Sequence, residues 1–229
     1  MARSIRFPGE CQYCGAEVGK SSSAQHLATC PKRKAELRSD AAPKTQPFPI
    51  EIYQLRVEAT HLPEFWLDLE VRGDADLEAV DKYLRAIWLE CCGHASAFSL
   101  KGWGSPELAK EGSVGDVFKH LRQIMHVYDF GTESWTTLKR VSVRKSRGQY
   151  RYPVKLLVRN KLPAVVCQEC GKPATRLCVQ CVVEDDVITW FCARHAKEHD
   201  HHDYGPALRV VNSPRLGLCG YNGPAKPPY

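Results

Sequence analysis

Between Cys167 and His202 the chain sets out four pairs of metal-ligating side chains, Cys167-x2-Cys170, Cys178-x2-Cys181, Cys192-x2-His195 and His199-x2-His202. Two intervening residues let both members of a pair reach one ion from a tight turn. Zinc closes a structural site with four N or S ligands, so the four pairs suit two tetrahedral zinc ions; a catalytic zinc would keep one position open. Metal binding then gives this third of the chain its reason to fold. A disulfide cluster is the competing account. The pair spacing argues against it, as does the lack of an apolar signal-peptide core in Met1–Pro8.

Seven, ten and three residues separate the successive pairs. With that spacing, residues 165–203 resemble a B-box zinc finger of the cross-brace kind. The resemblance implies that Cys167, Cys170, Cys192 and His195 share one ion and that Cys178, Cys181, His199 and His202 share the other. His201 is an alternative to His202. The run Val187-Ile188-Thr189-Trp190-Phe191 reads as a short half-buried strand that delivers Cys192.

A further ligand set, Cys11-x2-Cys14 followed by His26-x3-Cys30, lies near the other end. His and Cys four apart fall on one helix face, so a cysteine knuckle followed by a helix predicts a C2HC zinc finger. Ser21, Ser22 and Ser23 offer N-caps, and Pro31 lies just past the last ligand, with Lys32–Leu37 able to continue as helix. Lys32-Arg33-Lys34 suits phosphate contact or a solvated helix end. The total is about three zinc ions by ligand count. The proline-rich stretch 41–49 reads as a linker that tethers the finger loosely.

The intervening residues predict an α+β domain. Ile50–Val57 and Phe65–Val71 alternate apolar and polar residues as paired half-buried strands do, and Leu77, Val80, Leu84, Ile87 and Trp88 recur at helical spacing. A strand through His94–Leu100, a short helix near Val114–Leu121 and strands at Met125–Phe130, Ser134–Val143 and Val154–Val158 complete the domain. The expected organisation is a finger over 1–40, a linker over 41–49, the α+β domain over 50–162, the two-zinc module over 163–204 and an irregular tail over 205–229. Leu208–Val211 is the tail's one strand-like run.

Residues 50–158 are similar to the family named after the third open reading frame of plasmid pRiA4b, the TnpR passenger group of insertion sequences. The similarity rests on Tyr53-x-Leu55-x-Val57, Pro63-x2-Trp66, the helix ending at Trp88, His94-x3-Phe98 and, above all, Tyr128-Asp129-Phe130-Gly131 followed by Trp135. It implies an α+β fold and a mobile-element setting. The family usually has Gly-Asp-x-Trp and then a histidine; this chain has Glu133 for the acid, is one residue longer, and lacks the histidine. Asp129 and Glu133, with His94 and His126, would make a metal-dependent enzyme site if folding brought them together. Flanking Gly131, they equally suit a turn between strands. No nucleophilic serine or tyrosine arrangement supports direct recombinase activity. Cys91 and Cys92 end an apolar helix and read as buried packing thiols, and Cys219 has no assignment.

Charge is distributed unevenly. Residues 51–133 hold 15 acidic and 8 basic side chains, whereas 134–168 hold 9 basic and no acidic ones. Lys139, Arg140, Arg144, Lys145, Arg147, Arg151 and Lys155 interleave there with Trp135, Tyr150 and Tyr152. Like-signed charge gathered with aromatics predicts a nucleic-acid surface, with arginine on phosphate and tyrosine stacked on unpaired bases. On a regular strand Arg140, Ser142 and Arg144 would share one face. Neutralisation of the acidic segment is the rival account. No run reaches the roughly 18 apolar residues of a membrane span, and cysteine usage suggests a reducing, cytoplasmic setting. The expectation is thus a non-catalytic, nucleic-acid-binding zinc protein associated with a mobile element. The alternative is an adaptor that binds a protein partner through the B-box-like module.

Overall fold

The structure, a computed structural model, describes residues 7–40, 48–148, 150–162, 164–185, 187–201 and 203–229. In chain order the first elements are β1 (Pro8–Cys11), β2 (Glu17–Gly19), α1 (Ser23–Thr29), α2 (Pro31–Asp40), β3 (Ile50–Ala59), β4 (Trp66–Arg72) and α3 (Leu77–Leu84). A π-turn over Arg85–Leu89 extends α3. Then come β5 (Ser96–Ser99), β6 (Glu107–Leu108), α4 (Val114–His120), β7 (Gln123–Tyr128), β8 (Ser134–Ser146) and β9 (Val154–Asn160). The last elements are β10 (Arg176–Leu177), α5 (Val179–Glu184), β11 (Trp190–Phe191), α6 (His195–Glu198) and β12 (Leu208–Arg209), followed by a 3-10 turn at Leu218–Gly220. The fold is mixed α+β, built on a large antiparallel sheet with few helices.

Among the described residues, nine strands pair in the order β2-β1-β9-β4-β3-β8-β7-β5-β6, and β11-β10-β12 form a second sheet. Strand β4 is buried along almost its whole length, and its alternation feeds two layers. Leu67, Leu69 and Val71 join Leu55, Val57, Val80, Trp88 and Phe118 in the main core beneath α3 and α4. Trp66, Asp68 and Glu70 face the other way, against the first forty residues. There Trp66 packs with Leu27, Cys30 and Val158, and Ser23 donates to Asp68 Oδ2 at 2.6 Å. The polar face of this strand, expected to meet solvent, is therefore covered.

The loosely tethered finger is thus a correction. Strand β1 pairs with β9 through Gly9↔Asn160 and Cys11↔Val158, extending the main sheet. Arg33 of α2 bridges to Glu70 at 2.6 Å, and Lys20 reaches Glu58 at 3.3 Å. Linker residues 41–47 lie outside the described residues.

The tail is tied down as well. β12 pairs with β10, Ser213 Oγ donates to the Trp88 carbonyl at 2.6 Å, and Arg159 donates to the carbonyls of Asn212 and Ala225, each at 2.8 Å. Arg159 thus serves the interior. The strand expected over Val187–Phe191 is reduced to Trp190–Phe191.

Candidate metal centres

Among the described residues, four clusters of Cys and His could hold metal ions. Within each, the ligand atoms lie within 4.8 Å of one another.

The first unites Cys11, Cys14, His26 and Cys30. Cys11 ends β1 and Cys14 sits in the turn to β2. That turn closes through Gly15, whose N–H donates to the Cys11 carbonyl at 2.8 Å and whose φ of 73° favours glycine. His26 projects from α1 with Nε2 at 3.4 Å from Cys14 Sγ. Cys30 is the residue between the two helices, its N–H on the His26 carbonyl at 2.7 Å. Pro31 begins α2 rather than ending α1, the first helical position being where its missing N–H costs least.

The second and third clusters interleave. Cys167, Cys170, Cys192 and His195 form one, with Cys167 Sγ at 3.3 Å from His195 Nδ1 and Cys170 Sγ at 4.0 Å from Cys192 Sγ. Burial raises the pKa of the Cys167 thiol, but the Cys192 backbone N–H, the His195 ring and the N–H groups of Cys170 and Glu169 outweigh it and bring it down to about 6. A thiolate at neutral pH is the form a metal takes. Cys178, Cys181, His199 and His201 form the other; Cys181 Sγ is 3.3 Å from His199 Nε2 and 3.2 Å from His201 Nδ1. The first pair therefore converges with the third, and the second with the fourth. His201 occupies the place assigned to His202, which lies outside the described residues. Phe191 packs among Cys167, Cys178 and Cys181, between the two clusters.

The fourth cluster, Cys91, Cys92, His94 and Cys219, was missed by sequence reasoning. The expectation of buried packing thiols fails for Cys92, which is exposed, whereas Cys91 is half-buried and packs against the main core. Cys-Cys-x-His was the available signal, but the remaining ligand lies 127 residues beyond Cys92, too far to be paired by spacing.

The carboxylates of the enzyme reading are drawn apart into structural roles. Asp129 Oδ1 accepts from the N–H groups of Gly131 and Thr132 at 3.0 and 3.1 Å, shaping the turn. Its Oδ2 takes Arg215 at 2.5 Å. Glu133 accepts from the indole N–H groups of Trp103 and Trp135 at 2.8 and 2.5 Å. His126 is fully buried, with Nε2 2.7 Å from Asp81 Oδ1, and burial lowers its pKa. Of the four, only His94 and Asp129 are neighbours, at 3.4 Å.

No family model and no curated protein matches the chain. Among solved structures, a protein of unknown function from Methanosarcina mazei Go1 is similar in part. The match has 14% identity and a TM-score of 0.39 and covers 45% of this chain and 66% of that one, just under two thirds of its length.

The basic stretch divides. A register shift opposite Gln54/Leu55 sets Arg140 against Leu55 and Ser142 against Gln54, so Val141 is the extra residue and the strict alternation expected of 140, 142 and 144 fails. Arg140 turns to the helix layer and donates to the Phe118 carbonyl. Arg144 turns to the finger side, donating to Glu70 Oε2 at 2.9 Å and to Tyr150 Oη at 2.5 Å. Lys155 pairs with Glu36 of α2. Arg144 thus serves a buried acid, Lys155 a half-exposed one and Arg140 a backbone carbonyl. Lys139, Lys145, Arg147 and Arg151 are exposed.

Proposed function

We propose that this chain is a non-catalytic zinc protein that binds single-stranded nucleic acid, with zinc filling the finger cluster and the two interleaved clusters. Cys3His and Cys2His2 sets are the donor chemistry of structural zinc, and each has the four ligands of a closed tetrahedron. The observation that carries the nucleic-acid reading is an open groove of about 470 Å³ between α2 and the β8–β9 connection, lined by Tyr150, Arg151, Tyr152, Lys155 and Tyr229 among others. Tyr152 and Tyr229 stack there with ring centroids 4.2 Å apart and planes 7° apart, and the Arg151 guanidinium lies 5.0 Å from the Tyr152 centroid. Both tyrosines are partly exposed. Aromatic faces beside a guanidinium offer unpaired bases a stacking platform and the backbone a cation. The exposed Lys145 and Arg147 at the end of β8 and Lys32 and Lys34 on α2 add charge to the elements that frame the groove. A mobile-element setting is carried by the resemblance of residues 50–158 alone.

A second reading has its own observation. A cavity of about 410 Å³ lined by Leu62, Phe65, Leu162, Val182, Ile188 and Trp190 opens where the two-cluster module meets the core. Val183, Val187 and Ile188 are exposed on the module, which suits an apolar protein partner.

Fluorescence anisotropy of the zinc-loaded chain with labelled single-stranded and duplex DNA and RNA, over a salt series, separates the two. Base stacking in the groove requires tighter binding to single strands, falling steeply between about 50 and 200 mM salt. Tyr152→Ala should cost about 1–3 kcal/mol. Absence of binding at low salt refutes the nucleic-acid reading and favours the adaptor.

A further inference from the structure

We infer that Cys91, Cys92, His94 and Cys219 form a fourth zinc site, a closed structural one that fastens the segment carrying Cys219 onto the core. A tetrahedral zinc with Zn–S of about 2.3 Å and Zn–N of about 2.0 Å needs S···S edges near 3.8 Å and S···N edges near 3.5 Å. Cys91 and Cys92 Sγ are 3.5 Å apart, and Cys92 and Cys219 Sγ are 3.6 Å apart. His94 Nε2 lies 3.4 Å from Cys219 Sγ and 2.9 Å from Cys92 Sγ. All but the 2.9 Å pair fall within the 3.2–4.0 Å seen in the three clusters already described.

Two independent features prepare the ligands. The Cys-Cys-Gly-His loop folds over one hydroxyl, with the N–H groups of Cys91 and His94 both on Tyr128 Oη at 3.3 Å. Tyr128 in turn donates to Glu90 Oε1 at 2.8 Å. Gly93 makes the bend with a φ of 80°. On the other side Cys219 is held at a φ of 49°, inside the turn between Gly217 and Gly220, and this presents its Sγ to the other three ligands. A non-glycine residue in that region is strained and persists where something offsets it. Zinc ligation of Cys219 would do so.

A guanidinium also stands at the edge of the cluster. Three thiolates, a neutral imidazole and Zn²⁺ carry one net negative charge. Arg215 is fully buried, and its Nη2 lies 3.4 Å from Cys91 Sγ while also donating to Asp129. Four protein ligands leave no position for substrate, so the site is a clasp rather than a reaction centre. It joins the loop after α3 to residues far along the chain, next to the tyrosine–aspartate–phenylalanine–glycine turn.

The test is zinc analysis of the full chain purified under reducing conditions, with Cys219→Ser alongside. Four zinc ions per chain are expected in the parent and three in the variant, one for each cluster lost or kept. Trypsin should cut the variant faster after Arg209 and Arg215, with unchanged far-UV circular dichroism. Should Cys219→Ser fail to fold, the parent stoichiometry decides alone. Three zinc ions in the parent, a variant that keeps the parent's zinc content, or a Cys92–Cys219 disulfide in the non-reduced intact mass would each overturn the assignment.

Discussion

Glu70 ties α2 of the N-terminal segment to the main sheet. Its carboxylate is 3% exposed and takes Arg33 of α2 at 2.6 Å and Arg144 of β8 at 2.9 Å. Burial raises its pKa, but the hydrogen bonds and charges of Arg144 and Arg33 outweigh this and hold it below the ordinary value of 4.5. Removing one member of a buried ion group costs about 3–5 kcal/mol, because the partners are left unpaired. Arg144 is 27% exposed and recovers some hydration, which places Glu70→Gln at the lower end, about 3 kcal/mol. A chain of this size loses about 2–4 °C in Tm per kcal/mol, so thermal melts of the zinc-loaded variant should fall by roughly 6–12 °C. The pH dependence follows from the direction of the shift. A carboxyl whose pKa is depressed in the fold contributes stability above its unfolded value and loses it as pH falls through the folded one. The difference between parent and Glu70→Gln should therefore be full at pH 7 and shrink below about pH 4.5. Comparing the two chains cancels any acid release of metal common to both. A Tm change under 2 °C, or a difference that stays constant to pH 3, refutes the argument.

A Cβ on Gly9 would stand 2.6 Å from Trp66 Cζ2 and 2.9 Å from the Arg159 carbonyl. Gly9→Ala should force β1 off β9 and cost about 1–3 kcal/mol, seen as faster hydrogen exchange in β1 and α1 with β3–β8 unchanged; equal exchange throughout would count against finger docking. Among the described residues, the buried core shared by the interleaved clusters has Phe191 beside three of its own cysteine ligands. Chelation should thus abolish protection over residues 164–201 while the main sheet keeps its slow amides. Persistence of that protection in the chelated chain would show a fold that does not need metal.

What the sequence determined by itself is local: ligands two to four residues apart, alternating strands, helical periodicity. A CxxC knuckle or an i, i+4 pair is built within one turn, so the N-terminal cluster, the four C-terminal ligand pairs and the pairing of β3 with β4 were legible from spacing. The π-turn after α3 and the shortened β11 were not. The cross-brace pairing came from a resemblance, and the place of His201 beside Cys181 from the folded chain. Tertiary structure alone decided what long-range contacts decide. Alternation in Trp66–Arg72 marks two faces but does not say that both are covered. Glu70 reads as a solvent residue until Arg33 and Arg144 arrive from 37 positions before it and 74 after. One extra residue in β8 turns Arg140 away from Arg144, and a strand pattern does not show a bulge that its partner strand defines. Cys219 meets Cys92 because the tail is bound to Arg159, Trp88 and Asp129, and the free energy of that closure resides in contacts between residues far apart in the chain.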